Sequence, residues 1–512
     1  MILNKVTTLI IRSRILNSQF SLRAGKIMGA FPILTIPQLI AWGMILVSGI
    51  VIGLLGLNLY FLLYVWWREK GSRPRLASPA ILPHVTIHIP TYNERRVVER
   101  ILNACLQLDY PRDKLDIIVV DDSTDSTAAI LQEYQARFPD QIRIIHRTKR
   151  TGFKAGALQE ALKCTTGDFI AIFDADHVPR KDFLLKALPH FSSKKIAFVQ
   201  GLWYNHNSTR SAVARSSGLA VESHFRIEYF ARLKAESFPL VFGSAGIIRK
   251  SALASVGGWH SDTLTEDVDL TIRLYLAGWR GAYSNKAQSA IEMPNTLAVF
   301  KRQQHRWAQG HIQCLVKYGS RIITSPNMTA RQKLGCLMFL SYYLIPGLFL
   351  ITGFIGVTLL SFVFTPESLI AFLFTPHVIT LGSFFFLAIA SGAAMYALIA
   401  LRKGWSWLPA VLYVAAIDYF GICFEVLRAT LEALFGFSGV FERTARTQVN
   451  KSRSIGWRLT HTLRTRFLEL GSSLLAFTAS FHSFSLSSFP LMLFSAFLSC
   501  FGVIWLYVAL TP

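Results

Sequence analysis

Apolar residues are segregated along this chain far more than a single water-soluble core would require. Runs of them occupy about 37–67, 334–364, 371–401, 407–427, 467–482 and 489–510, whereas 68–330 holds none of bilayer-spanning length. A spanning helix takes about 20 predominantly apolar residues. It survives in hydrocarbon because every backbone polar group is satisfied within the helix itself. The pattern therefore predicts a multi-pass integral membrane protein with one large water-soluble domain placed after the first span. The expected boundaries are a basic amphipathic segment over 1–36, a first transmembrane helix over 37–67 and a cytosolic domain over 68–330. A C-terminal membrane domain over 331–512 follows, with several helices and a basic cytosolic loop around 439–466.

The formal charge of +23 is distributed in the same way. Five Lys and Arg and no acid precede the first run, and seven Lys and Arg with no acid lie from Arg443 to Arg466. Positive charge flanking apolar runs marks the cytoplasmic side and meets anionic lipid headgroups. The basic balance therefore points to a lipid bilayer as partner, and not to nucleic acid. Six cysteines are scattered singly with no CxxC pair, which argues against both a zinc site and a disulfide framework. After the acid-free start, the stretch from Val6 to Leu16 lacks a clear cleavage site and reads as a membrane-surface helix. If 334–364 and 371–401 both cross, a full crossing at 407–427 would put the 439–466 loop outside. One run is therefore expected to be re-entrant or interfacial, and Glu425, Arg428 and Glu432 make the end of the fourth a candidate.

Between the apolar ends, strand and helix patterns alternate at short intervals. Val85–Ile89, Leu115–Val120, Ile142–His146 and Phe169–Phe173 read as strands. Glu94–Leu108, Ala128–Phe138 and Gly156–Cys164 read as helices. Such alternation predicts a parallel sheet with helices on both faces.

Acidic pairs follow two of these strands: Asp121-Asp122 after Ile117–Val120, and Asp174-Ala-Asp176 after Phe169–Phe173. Carboxylates at the ends of buried strands are costly unless paired with a cation, and strand ends are where open α/β sheets bind ligands. Asp174 and Asp176, one residue apart, can both reach a hard divalent cation, Mg2+ or Mn2+, of the kind that bridges nucleotide phosphates. A solvated turn is the alternative for that pair, and a helix cap for Asp122 with Asp125. Lys154 precedes a helix and can reach phosphate or simply lie at the surface. Thr265-Glu266-Asp267 opens an amphipathic helix over Val268–Ala277, where acids either serve the helix dipole or supply a general base. Gln303, Arg306 and Trp307 share one helical face ahead of the second apolar run. Arg306 offers a planar fork for pyrophosphate and Trp307 a flat surface for a sugar, or together they form an interfacial anchor.

Taken together, Ile89-Pro-Thr-Tyr-Asn-Glu94, Val119-Val-Asp-Asp-Ser123, Phe173-Asp-Ala-Asp-His177, Thr265-Glu-Asp267 and Gln303-Gln-His-Arg-Trp307 resemble processive glycosyltransferase family 2. That group includes cellulose, hyaluronan, chitin and mannan synthases. The resemblance implies an α/β GT-A fold, a Rossmann-like nucleotide-sugar-binding domain facing the cytosol and inserted in an α-helical membrane domain. It implies Thr91, Tyr92, Glu94, Asp122, Lys154 and Asp174 at the nucleotide, and Asp174 and Asp176 at the metal. Asp267 would be the base with Glu266 beside it, and Gln303, Arg306 and Trp307 would hold diphosphate and acceptor. Phe198–Asn205 and Phe242–Gly246 would line the acceptor site. Phe441–Arg446 resembles a cytosolic gating loop, with Arg446 placed to meet diphosphate. The implied activity is an inverting hexosyl transfer, UDP-glucose favoured, to a growing β-glycan that is extended processively and threaded outward. A non-processive transfer to a lipid acceptor is the alternative.

Overall fold

The computed structural model describes residues 36–72, 81–208, 210–348, 350, 376–417, 421–436, 467–485, 499–500, 502–504 and 506–508. Its first element, α1 (Ile36–Glu69), is a long apolar helix. Leu54, Leu57, Phe61, Tyr64 and Trp67 on one side are at least half exposed. On the other side Leu55, Leu59, Leu62 and Trp66 are buried. An outward apolar face is stable only against another apolar medium. Among the described residues, Leu46–Glu69 is the one helix long and apolar enough to cross a membrane. Residues 1–35 of the expected basic segment, 351–364 of the expected run over 334–364, 371–375 of that over 371–401, 489–498 of that over 489–510, and the whole 439–466 loop with Arg446 lie outside the described residues.

The sheet-bearing domain is built on β1 (Val85–Thr91), β2 (Leu115–Asp121), β3 (Ile142–His146) and β4 (Phe169–Ile172), with α2 (Val98–Leu106), α3 (Thr127–Arg137) and α4 (Phe153–Lys163) between them. β2 and β4 read as near-continuous apolar runs because both faces are covered, whereas β1 also buries Thr86 and His88 and the edge strand β3 exposes Arg143. Ile87, Ile117 and Val119 pack on Ile101, Leu102 and Leu131, while Ile118 and Val120 pack on Ala157 and Ala161. α2 begins four residues later than its apolar spacing suggests. Asn93 sits at φ 55°, and the carbonyl of Glu94 accepts from the amides of Val97 and Val98, so a turn takes up the lead-in.

Beyond β4 come β5 (His177–Pro179), β6 (Ile196–Asn205), β7 (Gly246–Arg249) and β8 (Arg280–Ile291). The eight strands lie in the order β3-β2-β1-β4-β7-β6-β8-β5. The expected all-parallel sheet holds for the first four strands and, further along, for the β6–β8 pair. β7 runs antiparallel to both β4 and β6, and β5 antiparallel to β8, so the sheet is mixed. A short helical crossover enforces parallel pairing, and that constraint ends at β4. β1 is the switch point: β2 and β3 extend to one side and β4 to the other, which opens a crevice at the strands' carboxyl ends.

Helices α5 (Ala212–Ser223), α6 (Glu266–Leu276), α7 (Leu297–Thr324) and α8 (Ala330–Ser341) complete the domain. α5 continues through a π-helical turn, His224–Tyr229. Next come α9 (Pro376–Lys403), α10 (Cys423–Leu434) and α11 (Phe467–Ser485). Leu59, Leu62 and Trp66 of α1 share an apolar cluster with Leu219 of α5, Ile227 and Ala231 after it, and Met395 and Ile399 of α9. The catalytic-domain candidate is thus packed directly on α1 and α9.

Candidate active site

The carboxyl edge of the sheet brings the acidic motifs together. Asp121 ends β2 opposite Thr91 of β1, and the Asp122 amide donates to the Thr91 carbonyl at 3.0 Å. Their carboxylates already have partners within the fold. Asp121 faces His146 at 2.8 Å and accepts from the Thr91 hydroxyl at 3.2 Å. Asp122 accepts a two-pronged pair from Arg147 at 2.7 and 2.6 Å, with Arg150 at 3.7 Å. The Arg150 guanidinium also lies 3.7 Å over the Tyr92 ring. Thr91, Tyr92 and Asp122 thus gather at the switch point in an arginine-bound cluster. Arg147 and Arg150 come from the turn after β3, where no motif announces them.

Across the crevice, Asp174 follows β4. Its amide donates to the Ser244 hydroxyl at 2.9 Å and its carboxylate pairs with Lys154 at 2.7 Å. The Lys154 ammonium also faces Glu266 at 3.5 Å and donates to the Gly243 carbonyl at 2.9 Å. Burial alone would lower this ammonium, but Asp174, Glu266 and Asp267 together outweigh it and hold it above its ordinary value. Lys154 is therefore no surface lysine. It is the cation that joins the strand-end carboxylate to the Thr265-Glu-Asp267 motif.

Asp174, Asp176 and His177 each offer a donor atom within 4.8 Å of the others. His177 is fully buried, with Nδ1 3.1 Å from the Ser289 hydroxyl, the ring edge-on to Trp203, and Nε2 without a hydrogen-bond partner among the described residues. Burial pushes its pKa down to about 4, so the ring is neutral and able to ligate. Two carboxylates and a buried neutral imidazole with an unused nitrogen fit a divalent cation. His177 stands in the Phe173–His177 motif, yet carboxylate spacing alone gives no reason to count it.

Glu266 and Asp267 open α6. Burial and the adjacent Glu266 carboxylate push Asp267 up to about 7, against the pull of Lys154 and Arg306. A carboxylate with that value is half ionised near neutrality, which suits a general base. Gly243 sits at φ +59°, where a Cβ would lie 3.1 Å from Asp267 Oδ2 and 3.2 Å from Lys154 Nζ. Glycine there lets backbone pass beside both charged groups. Gln200 fixes this loop: its amide nitrogen donates to the carbonyls of Ser244 and Ala245, and its oxygen accepts from the Phe242 amide.

α7 supplies the last motif. It does not lead straight into an apolar run but continues to Thr324, followed by α8, so Trp307 stands well inside a long helix of the domain. Gly310, one turn later, lets α7 press on Thr265, whose side-chain atoms would lie 2.5 and 2.6 Å from a Cβ there. That contact sets α7 against the start of α6. A cavity of about 290 Å³ runs from Lys154, Asp174 and Asp267 past Gln303, Arg306 and Trp307 to Met395 and Tyr396 of α9. Trp203, Phe242, Phe339, Tyr342 and Tyr343 add aromatic surface to its wall, so the Phe198–Asn205 and Phe242–Gly246 stretches do reach it. Thr91, Tyr92 and Asp122 are not among its lining residues.

The pattern of the family described as glycosyltransferase like family 2 matches residues 83–310. A glucomannan 4-beta-mannosyltransferase of Arabidopsis thaliana is 37% identical over 259 residues, covering 49% of either chain. A probable glucomannan 4-beta-mannosyltransferase of Oryza sativa is 34% identical over 300 residues, 57% of this chain and 55% of its own. The chain spans about half the length of the curated relatives it matches. A mannosyltransferase of Pyrobaculum calidifontis, solved with GDP-mannose and Mn2+, superposes with a TM-score of 0.52 at 23% identity, covering 76% of this chain and 100% of that one. That likeness carries the fold, an open mixed GT-A-like sheet. Over 83–310, where the motif carboxylates lie at the carboxyl edge of the sheet, the chain is thus similar to glycosyltransferase like family 2 and to the glucomannan 4-beta-mannosyltransferases named above.

Proposed function

We propose that this protein transfers a hexose from a nucleotide sugar to the end of a growing β-glycan, with inversion, at the cytosolic face of a membrane. The observation that carries this is the placement of Asp267, with its pKa near 7, on one cavity with Asp174 and Trp307. The nucleotide lies over the switch point, with Thr91, Tyr92, Glu94 and Asp122 around base and ribose. Asp174, Asp176 and His177 hold Mg2+ or Mn2+. When bound, that ion neutralises charge on the diphosphate. Asp267 takes the proton from the acceptor hydroxyl, with Glu266 keeping it basic. The hydroxyl oxygen bonds to the anomeric carbon from the face opposite the diphosphate. As that bond forms, the old glycosidic bond breaks and its electron pair leaves on the nucleoside diphosphate. Arg306 stabilises the departing charge, Gln303 orients the same group, and Trp307 stacks on the acceptor end. Arg446 is a further diphosphate contact on the strength of the family resemblance.

GDP-mannose is the first donor to test, since the relatives named above are mannosyltransferases and the archaeal structure carries that donor. UDP-glucose, favoured by the motif resemblance, is the competitor. Processive extension into the membrane is supported by the cavity's run from the carboxylates to α9 and by the exposed apolar stripe of α1. On this reading 1–36 lies on the membrane surface, 37–67 spans it, 68–330 is the catalytic domain, and 331–512 forms the multi-pass portion with its basic loop at 439–466. Membranes bearing the full chain, given labelled GDP-mannose or UDP-glucose, should release alkali-stable polymer susceptible to a β-mannanase or β-glucanase. Products that are only single-sugar lipids would refute processivity, and no incorporation from either donor with Mn2+ or Mg2+ would refute the reading itself.

A further inference from the structure

His305 lies inside the Gln303–Trp307 motif but is not among the cavity-lining residues, although Gln303, Gln304, Arg306 and Trp307 all are. It faces α10 instead. Its Nε2 is hydrogen-bonded to Glu432 Oε2 at 2.9 Å, and its Nδ1 lies 2.8 Å from Glu425 Oε1, an ion-pair distance without hydrogen-bond alignment. Ionised carboxylates only accept, and a neutral imidazole donates from one nitrogen alone. Both short contacts are favourable only when both ring nitrogens carry protons. A neutral ring would turn a lone pair toward one of the two carboxylates.

We propose that His305 is a positioning residue: as an imidazolium between Glu425 and Glu432 it locks α10 onto the helix bearing Gln303, Arg306 and Trp307, and loss of its proton loosens that wall of the cavity.

The charged groups around it fit this role. α10 presents Glu425, Glu432 and Arg428, the last donating to Glu432 at 2.8 Å. α7 itself carries Lys301, which pairs with Glu469 of α11. The two anions touch the ring; Lys301 is engaged by Glu469, and Arg428 shares Glu432 with the imidazole. Burial opposes the charge on His305, but the two glutamates outweigh it, so its pKa stands above the ordinary 6.5. A raised folded-state value means the clamp is complete below about 6.5 and is lost as pH rises through the higher folded value. Next to the clamp, Val426 and Ala429 of α10 pack with Phe300 and Ala308 of α7, and Trp307 packs against the same cluster. Ile422, just before α10, lines the cavity together with Trp307. Loosening α10 therefore shifts the surface on which the acceptor end would rest.

The consequence for turnover rests on the glycosyl-transfer reading, whereas the clamp does not. The test is hydrogen–deuterium exchange of Cys423–Leu434 in the full chain in lipid nanodiscs from pH 6 to 9, corrected for intrinsic exchange. Protection in the wild type should fall about tenfold or more as His305 deprotonates. H305R should keep protection at all pH values, and H305Q should lack it at all of them. Wild-type protection that stays flat, or a fall that persists in H305Q, overturns the clamp. Should H305R not fold, E425Q must move the fall to lower pH, and an unmoved fall is equally fatal. In transfer assays the wild type should lose kcat on the alkaline side and H305R should not. An identical alkaline limb in H305Q removes the positioning role. No transfer at any pH would sink the glycosyl-transfer reading, while exchange still decides the clamp.

Discussion

Asp267→Asn keeps the volume of this side chain and removes its capacity to take a proton. Asp122, Asp174 and Lys154 are untouched, so donor affinity should hold within about threefold while kcat collapses. A positioned general base contributes about 10²–10⁴-fold, or about 3–5 kcal/mol of barrier, and that is the expected loss. The wild type carries a second signature. With Asp267 near 7, about a tenth of it is ionised one pH unit below, so transfer should fall about tenfold per unit on the acid side. Glu266→Gln removes the like charge that helps raise Asp267, so the acid limb should move to lower pH. Initial-rate assays with radiolabelled donor from pH 5 to 8, beside nucleotide binding by calorimetry, read both effects. If D267N keeps more than a tenth of wild-type kcat, or E266Q leaves the acid limb in place, Asp267 is not the base.

Asp176→Asn should weaken Mn2+ binding by about 100-fold or more, read by titration calorimetry or by Mn2+ paramagnetic resonance. Gly243→Ala must hold φ +59° with a side chain only 3.1 Å from Asp267. The strain is about 1–2 kcal/mol, so kcat should drop about tenfold or more and the melting temperature should fall by about 2–8 °C. Arg147→Ala strips the two-pronged partner from Asp122, whose side chain is 4% exposed, and leaves only Arg150 at 3.7 Å. Breaking a buried pair costs about 3 kcal/mol, so thermal unfolding of the sheet-bearing domain should shift down by several degrees.

Local pattern carried much of the fold. β1, β2, β3 and β4 appear where apolar, β-branched runs stand between turn residues; the polar interruptions Thr86 and His88 are buried with hydrogen-bond partners, and Arg143 is exposed on the edge strand. Helix starts were less legible. α4 begins three residues before Gly156, since Gly152 at φ +70° makes the turn that its spacing does not encode. The mixed character of the sheet was invisible, because β7 reaches β4 from a long stretch of intervening chain. Among site residues, Asp174, Asp267, Gln303, Arg306 and Trp307 do converge on one cavity. Thr91, Tyr92 and Asp122 form a neighbouring arginine-bound cluster, and Arg446 lies outside the described residues.

By itself the sequence determined the segregation of apolar ends from a charged middle, the strand–helix alternation, and the order of the acidic and Gln303–Trp307 motifs. All of these depend on residues close together in the chain, so periodicity and residue type suffice to read them. Only the tertiary structure decided that Lys154 joins Asp174 to Glu266, that His177 joins the metal-fitting carboxylates, that Asp267 rises toward neutrality, and that His305 turns from the cavity to α10. Each of these depends on the distance between groups far apart in sequence and on how much water is excluded from between them. Coulomb energy and desolvation are set by those two quantities, and neither exists until the chain has folded.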